Sequence, residues 1–413
     1  MNNSADFWHS VDFLSRQLCV EWQQSKRRET PKDAQCGQSG LFVSQRHDVL
    51  KKIEKVILKM TQSISEGDAP VFSYPNKSSW DSVRFENGIG IEPARDQKLS
   101  HVRFDSLQSV KKFGLMTRIL SIIYNLIQQN KYCTKRDLYY QFPELLGSQT
   151  TLDNLVDNVA CLLETPRWDL HVLATCKGSV AGDLQFYSDQ GHFVDCSVSQ
   201  TGVPVPAHMK DMQNMTTGAR FVLIVEKDAT FQRLLGDQFC HKFRPCIMVT
   251  GKGFPDLGTR LLLRALWDRF QLPMFILVDA DPHGIEIMCV YKFGSKAQAA
   301  ENRFLVVPNM KWLGILPTDL DGRLNIHESV FIPFTKKDMD KASELIGRPY
   351  VLANPPIATQ ARISSLGFKF EHIYPDKLPI ETLVKYMSLG HEVLGVVHFV
   401  LATTSCVVTN RSL

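Results

Sequence analysis

The chain has 413 residues, of which 44% are hydrophobic and 22% charged, with a net charge of +4. This ordinary balance excludes a compositionally biased chain and indicates two or three globular domains with more than one core. A nucleic-acid partner is permitted but not demanded, because local patches of charge matter more than the total.

The ten cysteines include no C-x-x-C pair, and Cys161, Cys289 and Cys406 sit inside apolar stretches. Scattered thiols suit a reducing compartment, the cytosol or nucleus. The first twenty residues carry Asp6 and Asp12 and no apolar core, so no secretory signal is expected. The longest apolar run, Val393 to Val408, contains His398, Thr403 and Thr404 and falls short of the ~20 residues of a membrane span.

Residues 1–104 read as an N-terminal region, partly helical with a flexible linker. Lys26-Arg27-Arg28 is a basic cluster better read as a solvated surface than as an import signal. Val49, Ile53, Val56, Ile57 and Met60 recur at helical spacing. Residues 61–100, rich in Ser, Pro, Asp, Asn and Gly, read as a linker or mobile loop.

Residues 105–215 open with three helices. Leu115, Ile119, Ile122, Ile123 and Leu126 make the stripe of the first. Thr134, with Asp137 three residues later, is a capping box for the second. The third opens near Thr150 or Thr151. Leu170 to Thr175, Asp183 to Tyr187 and His192 to Cys196 read as strands. Helices followed by such strands predict a winged helix, a module that binds duplex DNA.

Residues 216–378 change grammar. Apolar runs Phe221–Val225, Cys246–Val249, Met274–Val278 and Phe304–Val307 alternate with helical stretches, which predicts a parallel α/β sheet covered on both faces. The fold class is therefore mixed α and α/β, a helix-turn-helix domain followed by a largely parallel sheet domain.

Functional groups in parallel sheets gather at the carboxyl ends of strands. Glu226 ends one strand; Asp279 and Asp281 end another. Should those strands be neighbours, three carboxylates converge and repel unless a cation joins them. Oxygen-only ligands favour magnesium over zinc. The bland alternative makes Asp279 and Asp281 helix caps and Glu226 a surface acid. His283 reads as a supporting or capping residue, and Gly284 as a site of close helix–strand packing. Gly251-Lys252-Gly253 is not a P-loop; it either admits a phosphate backbone or makes a tight turn.

Arg136 and Tyr140 share a face of the second helix, being four residues apart. A guanidinium there favours a phosphate beside the phenolic oxygen. Tyr139 reads as packing, leaving Tyr140 as the candidate nucleophile.

The series Arg136-Asp137-Leu138-Tyr139-Tyr140, Val225-Glu226-Lys227-Asp228-Ala229 and Val278-Asp279-Ala280-Asp281-Pro282-His283-Gly284 resembles the A-subunit family of type IIB topoisomerases. The likeness is stronger to its eukaryotic branch, which makes programmed meiotic double-strand breaks, and spans about 105–353. It implies that the sheet domain is a toprim domain with Mg2+ ligands Glu226, Asp279 and Asp281. It further implies Tyr140 as nucleophile, Arg136 as the motif arginine, and Lys177 of the Lys177-Gly178 pair as a DNA contact. The implied partners are double-stranded DNA, a second copy in a homodimer, a topoisomerase VI B-like partner subunit, and other meiotic break-forming proteins. No membrane is involved, and the implied place is the nucleus, on meiotic chromosomes. Each site would combine the tyrosine of one protomer with the metal of the other.

The tail departs from the family pattern. In Asn354-Pro355-Pro356-Ile357 the prolines disfavour a helix start until after them. Ser364–Phe368 and Tyr374–Leu378 match the family's final segment, and residues 379–413 form an atypical tail, read as an altered transcript rather than an added element. Two other readings stay open: a DNA-binding isoform that does not cut, and a toprim nuclease that uses water while Tyr140 is structural.

Overall fold

The computed structural model describes residue 16 and residues 46–77, 79–209, 212–314, 316–317, 332–364 and 368–369. The basic cluster at 26–28 and the tail at 379–413 lie outside them. Two bodies are built, one helical and one around a sheet.

The helical body begins with α1 (Arg46–Ser65), which buries Val49 and Ile53. The stretch expected to be a linker is instead two strand pairs. β1 (Val71–Pro75) runs antiparallel to β4 (Leu99–Arg103), and β2 (Val83–Glu86) to β3 (Gly90–Pro93). Phe72 and Tyr74 alternate inward around exposed Ser73, so a period of two outweighs the turn-rich composition. α2 (Val110–Gln129) buries Leu115, Ile119 and Ile123. α3 (Lys135–Gln141) starts at Thr134 with the reciprocal capping box to Asp137. Such a cap is worth about 1 kcal/mol, a large share for two turns of helix. α4 (Gln149–Leu162) is capped by Ser148, whose side chain accepts from the Thr151 amide, so the helix opens just ahead of the expected Thr150 or Thr151. Leu138, Leu152, Leu155, Val156 and Val159 close one core with α1 and α2.

The sheet body uses β5 (Ser179–Gly182), β6 (Gln185–Tyr187), β7 (Phe193–Asp195), β8 (Val203–Pro204), β9 (Gln213–Thr216), β10 (Val222–Val225), β11 (Ile247–Thr250), β12 (Met274–Leu277) and β13 (Lys311–Gly314). The six-stranded order is β8-β5-β11-β10-β12-β13. β11, β10, β12 and β13 are parallel, and β5 joins β11 antiparallel. β10, β11 and β12 are buried along their whole length, as the inner strands of a doubly covered sheet are, while the edge strand β13 opens on exposed Lys311. α5 (Asp228–Gly236), α6 (Leu257–Phe270) and α7 (Pro282–Phe293) connect them.

The strand pattern differs from the expected one at three places. The strands after the third helix divide between the two bodies. Val172-Leu173 pairs with Cys133-Thr134, while β5 enters the large sheet and β6 pairs with β7 and β9. Val180, Leu184, Phe186 and Cys196 belong to the sheet's core, so the sheet body begins before residue 216. Asn302–Phe304 is a short 3-10 turn, and the fourth parallel strand is β13, because the buried run 305–307 packs without pairing. α8 (Lys336–Ile346), α9 (Pro349–Leu352) and α10 (Pro355–Ser364) follow, and α10 starts on its prolines. The first turn needs no amide hydrogens, so prolines are tolerated there.

Arg167 ties the bodies together. Its guanidinium pairs with Asp157 of α4 at 2.9 Å and with Glu301 at 3.4 Å. Trp168 meets Phe304 edge-on, ring centres 6.0 Å apart.

Candidate active site

β10 and β12 are hydrogen-bonded neighbours, with Val225 level with Leu277. Each strand delivers acids at its carboxyl end, and the adjacency makes them converge. The Asp279 amide donates to Glu226 Oε2 at 2.9 Å. Glu226 is 8% exposed and Asp279 and Asp281 are also buried, so Glu226 is no surface acid. Asp281 does serve as the N-cap of α7, accepting the Gly284 amide at 2.6 Å. Only that part of the bland reading survives.

Burial and the nearby Asp279 charge push the Glu226 carboxyl up to about 8, with Asp281 adding to the rise. Asp281 is raised too, by burial first and then by Asp279, against the Gly284 amide that favours its charged form. Concentrated negative charge out of water is the cause. Lys227, at the N-cap of α5, places Nζ 2.6 Å from Asp279 Oδ2. Its charge also lowers both Glu226 and Asp281.

Among the described residues, no three His, Cys, Asp or Glu side chains form a ready metal cage. One oxygen of Asp281 is committed to its cap and one of Asp279 to Lys227. The donor set nevertheless fits magnesium: it is all oxygen, it carries unbalanced negative charge, and magnesium retains waters rather than needing a full protein cage. Gly284 allows the crowding. A Cβ there would stand 2.3 Å from the Asp279 carbonyl oxygen and 2.9 Å from its nitrogen.

The tyrosines divide as the pattern predicts. Tyr139 is partly buried against the helical core, whereas Tyr140 is 68% exposed. Arg136 is exposed one turn before it on α3. The ring contact of Tyr140 is with Tyr139, 5.7 Å away, while the charges acting on Glu226 come from Asp279, Asp281 and Lys227. Tyr140 stands on α3 of the helical body, whereas the acids stand at the ends of β10 and β12.

Lys177 lies nearer the acids than its position before the sheet suggests. Its Nζ donates to the Lys252 carbonyl at 3.1 Å. Lys252 in turn pairs with Asp228 at 3.4 Å, and the Gly253 amide donates to the Glu226 carbonyl at 2.8 Å. Lys252 and Gly253 have φ of 53° and 91°, so the Gly251-Lys252-Gly253 turn is a tight left-handed one. Gly251 packs against Tyr291, whose hydroxyl would meet a Cβ at 2.5 Å. Asp256 holds this corner. One carboxylate oxygen accepts the Lys177 and Gly178 amides at 2.7 and 3.1 Å, and the other caps α6 through the Thr259 amide at 2.8 Å.

Two models of known families match the chain. The model of the Toprim domain of the topoisomerase 6 A-subunit/Spo11 proteins covers residues 221–373, and that of the type IIB DNA topoisomerase covers 111–172. The meiotic recombination protein SPO11 of Homo sapiens is 48% identical over 308 residues, 75% of this chain and 78% of that protein. The chain belongs to the topoisomerase 6 A-subunit/Spo11 family. The Mus musculus SPO11 protein is 47% identical over 76% of this chain and 79% of its own length. The DNA topoisomerase 6 A-subunit of Arabidopsis thaliana is 38% identical over 74% and 71%. Tyr140 and Arg136 fall in the type IIB match, and Glu226, Asp279 and Asp281 in the toprim match; Lys177 lies between the two.

Lys227 and Asp256 are absent from the sequence-derived site. A lysine directly after a strand-end acid, and an aspartate three residues before Thr259 at a helix start, were the signals available.

Proposed function

We propose that this chain makes meiotic DNA double-strand breaks by topoisomerase-like transesterification. The carrying observation is one fold that presents an exposed Tyr140 beside Arg136 on a capped helix and, separately, three buried acids at the ends of neighbouring strands. The names and extents of the relatives support this reading.

In this reading the helical body acts as a winged-helix-type DNA-binding domain. Lys177 contacts the backbone, and Arg136 draws a phosphate to the phenolic oxygen and stabilises its growing charge. The Tyr140 oxygen attacks phosphorus, the 3′-oxygen leaves, and the protein remains joined to the 5′ end. Glu226, Asp279 and Asp281 would hold Mg2+. When bound, such an ion acts as a Lewis acid toward phosphate oxygens or fixes the DNA in place. The placing of Tyr140 and the acids on different bodies supports a homodimer in which each tyrosine works with the partner's acids. A topoisomerase VI B-like partner and further break-forming proteins complete the assembly, on chromosomes in the nucleus.

Mixed dimers test this arrangement. Chains carrying Tyr140→Phe and chains carrying Glu226→Gln are each inactive alone. Co-expressed, they restore one intact shared site, and covalent adducts appear on one strand only. No adduct from the mixture would contradict a shared site, since a site within one chain stays broken in both partners.

A further inference from the structure

The acids already hold a cation of their own. Lys227 Nζ lies 2.6 Å from Asp279 Oδ2, and both side chains are largely withdrawn from solvent, at 20% and 4% exposure. The same ammonium acts on Glu226 and on Asp281. Lys227 therefore pairs directly with Asp279, and its charge reaches Glu226 and Asp281 as well, in the region where a divalent ion would be drawn. Of the neighbouring groups, Lys252 pairs with Asp228, while His283, 3.4 Å from Asp338, also acts on Asp281.

We infer that Lys227 is a built-in counter-ion that holds Asp279 in the metal-free protein, exchanges with the divalent ion, and thereby sets the metal concentration the site requires. The inference rests on the reading of Glu226, Asp279 and Asp281 as metal ligands. Its physical basis is competition. Three clustered carboxylates without a cation repel one another, and an internal ammonium relieves that repulsion without dehydrating an ion. A divalent ion must then displace the ammonium from Asp279, so Lys227 weakens metal binding while it stabilises the empty site. Its place at the start of α5, one residue after Glu226, lets the four-carbon stem swing while the strand end stays fixed.

Binding of Mn2+ to the purified full-length protein, followed by electron paramagnetic resonance of the free ion, tests the exchange without reference to cleavage. Lys227→Met is expected to bind Mn2+ about tenfold more tightly than the natural chain, and Lys227→Arg to stay close to it. Asp279→Asn is the control for the underlying reading. If Asp279→Asn binds as well as the natural chain, the metal site itself is misplaced. If Asp279→Asn loses binding while Lys227→Met is unchanged or weaker, the ligand reading stands and the counter-ion role is overturned.

A measurement on the unaltered chain covers the case in which Lys227→Met does not fold. Amidination of Lys227, quantified by mass spectrometry, is expected to rise several-fold when Mn2+ is added. Equal modification with and without the ion overturns the exchange.

Discussion

The Asp279 amide donates to Glu226 Oε2 at 2.9 Å, joining the ends of two adjacent parallel strands through a side chain. That bond orients Glu226 toward the acids from β12 and keeps it buried beside charges of its own sign. Its consequence is a carboxyl raised from an ordinary 4.5 to about 8, chiefly by burial and by Asp279.

This shift predicts an unusual pH dependence of stability in chelator. The folded protein holds the Glu226 proton that the unfolded chain releases above its ordinary value. The favourable contribution is complete below that value and is lost as pH rises through about 8. The expected slope approaches about 1.4 kcal/mol per pH unit within this window. Denaturant unfolding between these limits should show it, Glu226→Gln should flatten it, and saturating Mg2+ should reverse it. Equal slopes for the two chains would contradict the buried-acid account.

Gly284→Ala tests the crowding behind Asp279. The new methyl would press on the Asp279 backbone, which cannot swing aside as a long side chain would. We expect a loss of about 1–3 kcal/mol in denaturant unfolding and weaker Mn2+ binding. Unchanged stability would mean that α7 can shift away from β12 at little cost.

Asp256→Ala should separate DNA binding from metal binding. It removes the acceptor shared by Lys177 and Gly178 and the cap of α6, costing about 1–2 kcal/mol. Duplex binding should weaken while Mn2+ affinity holds. Lys177→Ala should lower the salt slope of duplex binding by about 0.9, as expected for one lost phosphate contact. An unaltered slope would remove Lys177 from the interface.

Much of the site was legible because its signals are local. A capping box, a four-residue spacing and acids at strand ends each follow from a short stretch of chain. The neighbour relation of β10 and β12, which makes the acids meet, is a long-range pairing that the pattern could pose but not decide. The N-terminal strands were missed because their turn residues dominate composition, while Phe72, Tyr74 and Val102 carry the burial. β5 fell between the expected strands for a similar reason: its place beside β11 depends on a partner more than sixty residues away. The place of Lys227 after a strand-end acid is visible in the sequence, but its pairing with Asp279, fifty-two residues on, is visible only in three dimensions.

The central claim is that Tyr140 becomes covalently joined to DNA. The most direct measurement is capture of protein-linked 5′ ends from meiotic cells that lack their own copy of the enzyme and express either this chain or Tyr140→Phe. The side chain is 68% exposed, so losing its hydroxyl should alter stability by less than about 0.5 kcal/mol. The account predicts adducts from the natural chain and none from the variant, with both proteins folded and nuclear. Adducts from both would assign the attack to another residue, and adducts from neither would identify a DNA-binding protein that does not cut.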